Sequence, residues 1–199
     1  MDDATPRPAG GRRFGLLDAM ILVGSAALGF AGVRAIGPGP GWVEILRGLV
    51  EKFAWNRDFF ADAVPYVVVF IATPPAMAAT VGVLVLGVRK PRPRWRRLRR
   101  QPGFVSGLAV VLSWAFALLI AAEWVLVMEG GSFDPMDLVG CFLVVAMILG
   151  GFVVIVAWSG QALYGRWRPE PTWLDRLGRL VGAAWIALAS LGGFALVAF

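Results

Sequence analysis

Long apolar stretches alternate with short charged segments along the whole chain, and five of these stretches have the length of a membrane-spanning helix. A helix needs about 20 consecutive apolar residues to cross the hydrocarbon core of a bilayer. Strands of a membrane barrel would instead give segments of about ten residues with alternating polarity. The pattern therefore predicts an all-α fold, a polytopic transmembrane helix bundle with five spans. The predicted spans cover residues 14–36, 63–88, 104–128, 138–164 and 180–199.

The segment between the first two spans, residues 37–62, predicts one further helix. Pro38 and Pro40 lie in a glycine-rich stretch that ends the first span. Over residues 42–55, apolar residues recur at helical spacing on one face, and charged residues largely occupy the other. This amphipathic helix is too short and too charged to span a bilayer, so we expect it to lie flat at the outer interface. A lid over an external pocket, or a docking surface for a partner, is the alternative.

The composition is that of a membrane protein rather than of a soluble domain. Apolar residues make up 58% of the 199 residues and charged residues 16%, whereas soluble domains contain about 25% charged residues. The net charge of +6 would indicate a nucleic-acid partner in a soluble chain. Here the basic residues lie beside apolar spans, where anionic lipid headgroups are the nearer partner. We therefore expect lipid partners and no nucleic acid.

One loop, residues 89–103, carries eight of the 19 lysines and arginines and sets the orientation of the bundle. Positive charge at that density marks a cytoplasmic loop. Counting spans outward places the tail 1–13 and the loop 165–179 in the cytoplasm, and the segment 37–62, the loop 129–137 and the C-terminus outside. We expect this orientation in a bacterial inner membrane. The candidate contacts with anionic lipid are Arg89, Lys90, Arg92, Arg94, Arg96, Arg97, Arg99 and Arg100.

The first span follows an arginine pair, and the stretch from Arg12 reads RRFGLLDAMILVGSAALG. This opening resembles the first helix of small uncharacterised bacterial multi-pass membrane proteins. Because no activity is assigned to that group, the resemblance implies a membrane fold and no particular chemistry. The alternative is a twin-arginine export signal that is cleaved near residues 33–35. Asp18 and Arg34 interrupt such a signal and four further spans follow it, so we expect a retained first helix.

Charged residues within spans are costly unless they are paired, and two of them lie at similar depth near the outer face. Arg34 is near the outer end of the first span, and Glu123 is near the outer end of the third. Their matched depth predicts a buried ion pair between these two spans. The alternative makes Glu123 a proton or cation site.

Prolines and small residues mark where the predicted helices bend and pack. Pro74 and Pro75 lie near the middle of the second span, where they remove backbone hydrogen bonds and predict a helix break. Broken helices hold ions or substrate in transporters, although kinked membrane helices without such a role are common. Close packing is predicted at small residues spaced four apart. These pairs are Ser25 and Gly29, Ala78 and Gly82, Gly178 and Gly182, and Ala189 and Gly193.

The sequence lacks the motifs that would indicate catalysis. The chain has no histidine and a single cysteine, Cys141, and it contains no GxSxG, HExxH or Walker A pattern. We therefore predict no catalytic, cofactor or metal site and no enzymatic activity. The expected function is that of a non-catalytic structural or interaction subunit, whose partners are the lipid bilayer and other membrane subunits. The alternative is a small transporter or channel component that uses Glu123 and the break at Pro74 and Pro75.

Overall fold

The computed structural model describes residues 14–36, 67–89, 98–128, 135–167 and 172–197. Within these residues every regular element is helical and no strand occurs, so the all-α prediction is confirmed. A π-helical segment, Val67–Ala72, leads directly into the second helix. The five helices are α1 (Leu16–Ile36), α2 (Thr73–Val88), α3 (Pro102–Met128), α4 (Pro135–Leu163) and α5 (Trp173–Val197).

Four helical stretches in the described part of the chain are long and apolar enough to cross a membrane, and they coincide with the first four predicted spans. Apolar helices of this kind fit a membrane location. The fifth predicted span, 180–199, extends beyond the described residues and stays a prediction, and the predicted interfacial helix 42–55 lies outside them. The four stretches are Leu16–Ala35, Val69–Val88, Pro102–Trp124 and Leu138–Leu163.

α1 and α2 pack side by side in antiparallel orientation through the small residues of both helices. A Cβ atom added to Gly82 would lie 2.5 Å from Ser25 Oγ. One added to Gly29 would lie 2.7 Å from Cα of Pro75 and 3.2 Å from Cβ of Ala78. Because larger side chains at these glycines would separate the helices, the predicted close packing at these two small-residue pairs is confirmed.

α5 packs antiparallel to α4, with contacts along much of both helices. Gly182 faces Trp158 near the start of α5, and Ala189 faces Gly151 further along it. The contacts thus move toward the start of α4 as α5 proceeds, which is the antiparallel arrangement. A Cβ on Gly193 would meet nothing within 4 Å, so the predicted Ala189 and Gly193 pair is a packing contact at Ala189 but not at Gly193.

The centre of the bundle is an apolar core to which the π-helical segment, α3, α4 and α5 contribute. A hydrogen bond between helices crosses it: the indole N–H of Trp185 donates to Thr80 Oγ1 of α2 at 2.8 Å. Thr80 in turn donates to the carbonyl oxygen of Ala76 at 2.8 Å. These polar atoms are tolerated in an apolar interior because each finds a partner. The buried core residues are Val69, Val110, Leu143, Met147, Val154 and Trp185.

The proline pair lies where the helix type changes. The π-helical segment ends at Ala72, and α2 begins at Thr73 with proline in its first turn. Because proline has no N–H, Pro74 and Pro75 cannot donate the α-helical hydrogen bonds of their positions. Wider π-turns are one way in which a helix absorbs such an interruption. The interruption therefore takes the form of a change from π- to α-helix, and the helical path continues.

α5 begins at Trp173, well before the predicted start of the fifth span at residue 180. Thr172 precedes the helix, and its Oγ1 accepts a hydrogen bond from the backbone N–H of Asp175 at 3.4 Å. A threonine followed by an acidic residue three positions later is a signature of a helix N-terminus. The helix thus extends the predicted span by charged turns that include Asp175.

Candidate functional site

Polar contacts between helices concentrate at one end of the bundle, which we call the basic end. It comprises the starts of α1, α3 and α5, the ends of α2 and α4, and the turns beside them. Hydrogen bonds at this end join α1 to the residue after α2, α3 to α4, and α3 to α5. Five helix termini therefore meet on one side of the molecule. The described arginines there are Arg89, Arg99, Arg100, Arg166, Arg176 and Arg179.

An ion pair fastens the start of α1 to the end of α2. Arg89 Nη1 lies 3.0 Å from Asp18 Oδ1, and the backbone N–H of Gly15 donates to Oδ2 of the same carboxylate at 3.0 Å. Asp18 is only 4% exposed, so its charge is largely removed from water and depends on these donors. It also lies in the first turn of α1, where the helix dipole favours a negative charge.

A second buried carboxylate, that of Asp175, holds the starts of α3 and α5 together. The backbone N–H of Gly103 donates to Asp175 Oδ1 at 3.1 Å, and Arg179 Nε lies 3.4 Å from Oδ2. The contact with Arg179 is ionic, because Nε is not aligned as a hydrogen-bond donor to the carboxylate. Asp175 is 2% exposed and lies beside the N-termini of two helices, whose dipoles both favour its negative charge.

Gln161 ties two arginine-bearing turns to the end of α4. Its side-chain Nε2 donates to the carbonyl oxygen of Arg99 at 3.3 Å. Its backbone carbonyl oxygen accepts hydrogen bonds from the N–H groups of Arg166 at 2.9 Å and Trp167 at 3.1 Å. Gly165 supplies the left-handed conformation, with φ of 61°, that turns the chain back over the helix end. One residue therefore positions the backbone of both Arg99 and Arg166.

The structure does not bring Arg34 and Glu123 together as the ion pair predicted from the sequence. Arg34 lies in the last turn of α1 and Glu123 in α3, and both side chains are exposed. α1 packs mainly along α2, whereas α3 packs mainly against α4 and α5. Similar depth therefore does not make these two residues neighbours. Among the described residues, the acids that form ion pairs are Asp18 and Asp175.

The transport alternative combines the proline pair with Glu123, and the structure describes the surroundings of both. Pro74 is buried beside Gly32 of α1, and Pro75 contacts Gly29 of the same helix. Glu123 is exposed on α3. The structure therefore places the helix interruption against α1, and the predicted cation site at Glu123 stays a prediction.

The basic loop is described only at its two ends. Arg89 pairs with Asp18, which turns it toward α1. Arg99 and Arg100 are exposed, and their contact with anionic lipid stays a prediction. The other predicted lipid contacts, Lys90, Arg92, Arg94, Arg96 and Arg97, lie outside the described residues.

Asp175 and Gln161 were not candidate residues in the sequence, although both organise the basic end. The local signal for Asp175 was the threonine three positions before it, which marks the start of a helix. For the Asp18 and Arg89 pair the signal was position, because Asp18 lies at the start of the first predicted span and Arg89 directly follows the end of the second. Gln161 has no local signal, since its contacts are with the distant turn at Arg99 and with its own helix end.

The chemistry available at the basic end is ion pairing and anion binding. Among the residues that the structure describes, no group of three or more His, Cys, Asp or Glu side chains could hold a metal ion. Comparison with protein-family models, with curated proteins and with solved structures finds no match to this chain. The site is therefore interpreted from its own geometry.

Proposed function

We propose that the chain is a five-span integral membrane protein whose basic end faces the cytoplasm of a bacterial cell, and that it is a non-catalytic structural or interaction subunit. The observation that carries this proposal is the meeting of five helix termini at the basic end. Consecutive helices that alternate in direction place the N-terminal tail and the loops after α2 and α4 on one side. The positive-inside rule then assigns that side to the cytoplasm.

The packing of α5 supports a fifth crossing. Asp175 near its start contacts Gly103 at the start of α3, and Trp185 reaches Thr80 of α2 in the middle of the bundle. α5 therefore runs beside helices that are apolar enough to span, and in the direction of α3. A helix packed over this length against membrane-spanning neighbours crosses with them.

The filled interior supports a structural role rather than a route for a substrate. Trp185, Met147 and Val110 are fully buried in the centre of the described bundle. The hydrogen bond from Trp185 to Thr80 fastens helices to each other in that centre, and the ion pairs of Asp18 and Asp175 fasten helix ends. Exposed apolar side chains cover much of α1, including Leu28 and Phe30, as expected for a surface that faces lipid or another membrane subunit.

Cysteine labelling tests the orientation directly. In a Cys141→Ser background, Gly131→Cys reports on the loop 129–137 and Arg100→Cys reports on the basic end. A membrane-impermeant maleimide should label position 131 in intact cells, and position 100 only after the cells are opened. Labelling of position 100 in intact cells would contradict the proposed orientation.

A flux measurement separates the structural role from the transport alternative. The purified chain in sealed vesicles should show no proton or cation flux above that of empty vesicles. Glu123→Gln provides the decisive comparison. A flux that this substitution abolishes, with folding unchanged, would replace the proposed function with transport.

A further inference from the structure

A groove of about 450 Å³ opens between the start of α3 and the end of α4 at the basic end. Its floor is apolar and includes Leu108 of α3 and Val156 of α4, both exposed. Its rim carries Arg99 and Arg166, and none of the described residues that line the groove is acidic. The groove therefore combines a positive rim with an apolar floor.

The positions of the two rim arginines are fixed by hydrogen bonds, because Gln161 in the groove wall holds the backbone of both. Gln161 is 8% exposed, and it binds the carbonyl oxygen of Arg99 and the N–H of Arg166. The guanidinium of Arg166 lies 5.8 Å from the ring centroid of Tyr164, which stacks it at the groove mouth. Gln161 Oε1 is buried without a hydrogen-bond partner in the described structure. A hydroxyl or amine in a bound headgroup would satisfy this acceptor.

We propose that this groove binds one anionic phospholipid of the cytoplasmic leaflet. The phosphate lies at Arg99 and Arg166, and an acyl chain lies along the floor past Leu108. Arginine binds phosphate oxygens through paired, charge-assisted hydrogen bonds. Basic pockets between membrane helices on the cytoplasmic side bind anionic headgroups. The inference rests on the proposed function, because that orientation puts the groove mouth at the level of the cytoplasmic headgroups.

The test is a lipid titration of the purified full chain in detergent, followed by native mass spectrometry. The probes are phosphatidylglycerol and phosphatidylcholine with the same acyl chains. The site variant is Arg99→Gln with Arg166→Gln. The matched control is Arg100→Gln with Arg176→Gln, which removes the same charge from exposed arginines of the basic end that do not line the groove.

A third variant, Gly160→Leu, fills the groove and leaves every charge in place. Gly160 lines the groove, and a Cβ atom there would meet nothing within 4 Å, so we expect the variant to fold. Thermal unfolding of each variant in the same detergent shows whether its fold is intact.

We expect one saturable phosphatidylglycerol per chain in the wild type and weaker binding of phosphatidylcholine. The double change at Arg99 and Arg166 should weaken phosphatidylglycerol binding about tenfold or more, as the loss of hydrogen bonds to a charged group implies. Gly160→Leu should weaken the binding of both lipids. The control pair should bind both lipids as the wild type does.

If the site pair and the control pair lose phosphatidylglycerol binding equally, and Gly160→Leu binds fully, the attraction is general to the positive charge. That result would overturn the proposed lipid site. Equal binding of the two lipids by the wild type would also overturn it. The labelling of positions 100 and 131 is measured independently. If labelling places the basic end in the cytoplasm but no lipid binds saturably, only the proposed lipid site is refuted. If labelling places the basic end outside, the proposed function is refuted.

Discussion

Gly178 of α5 meets the backbone of Gly103 in α3, and Gly178→Ala tests how close this contact is. A Cβ on Gly178 would lie 2.8 Å from both C and Cα of Gly103, whereas ordinary Cβ contacts begin near 3.4 Å. The two helices would have to separate locally by the difference, about 0.6 Å. Such a movement would stretch the 3.1 Å hydrogen bond from Gly103 to Asp175 beyond the range of a good N–H···O bond.

The expected loss of stability follows from the cheaper of two responses. If the helices stay together, overpacking costs about 1–3 kcal/mol. If they separate, the weakened hydrogen bond to the carboxylate costs about 1.5–3 kcal/mol. The higher helix propensity of alanine offsets up to about 1 kcal/mol. We therefore expect Gly178→Ala to lower the free energy of unfolding by about 1–2 kcal/mol.

The assay is unfolding of the purified chain in mixed micelles as the fraction of denaturing detergent rises, followed by tryptophan fluorescence. The matched control is Gly193→Ala in the same helix, where a Cβ meets nothing within 4 Å. The control should be as stable as the wild type or slightly more stable. If Gly178→Ala unfolds at the same detergent fraction as the control, α3 and α5 do not approach as closely as described, and the reasoning fails.

Two further contacts give predictions in the same assay. Asp18→Asn and Arg89→Gln should each destabilise the chain, and the double variant should lose less than their sum, with a coupling of about 1 kcal/mol; additive losses would show that the pair contributes nothing. Thr80→Val should cost about 1–3 kcal/mol because it leaves the buried N–H of Trp185 without its acceptor. Thr80→Ser retains the hydroxyl and should cost less, so equal losses in the two variants would point to packing rather than to the hydrogen bond.

The helices could be predicted from the sequence because each rests on a local property. Long apolar runs have one stable backbone conformation in a bilayer, so the first four predicted spans coincide with described helices. The packing at Ser25, Gly29, Ala78 and Gly82 was also visible, since small residues at this spacing form a smooth face on one helix.

The partners of charged residues could not be predicted, because pairing depends on which helices are neighbours. Arg34 and Glu123 have similar depth, yet they lie on helices that do not pack extensively together. Asp18 and Arg89 pair because α1 and α2 are antiparallel neighbours, which the sequence alone does not state. Gln161 shows the same limit, since its role depends on a turn at Arg99 that is distant in sequence.

The fifth crossing is the central claim, and a dual reporter fused after Phe199 tests it most directly. One fusion carries alkaline phosphatase, which is active only outside the cytoplasm, and the other carries a green fluorescent protein, which fluoresces only inside. We expect high phosphatase activity and no fluorescence at this position, with the opposite result for fusions after Arg97. Fluorescence without phosphatase activity after Phe199 would place that end in the cytoplasm and contradict the five-span bundle.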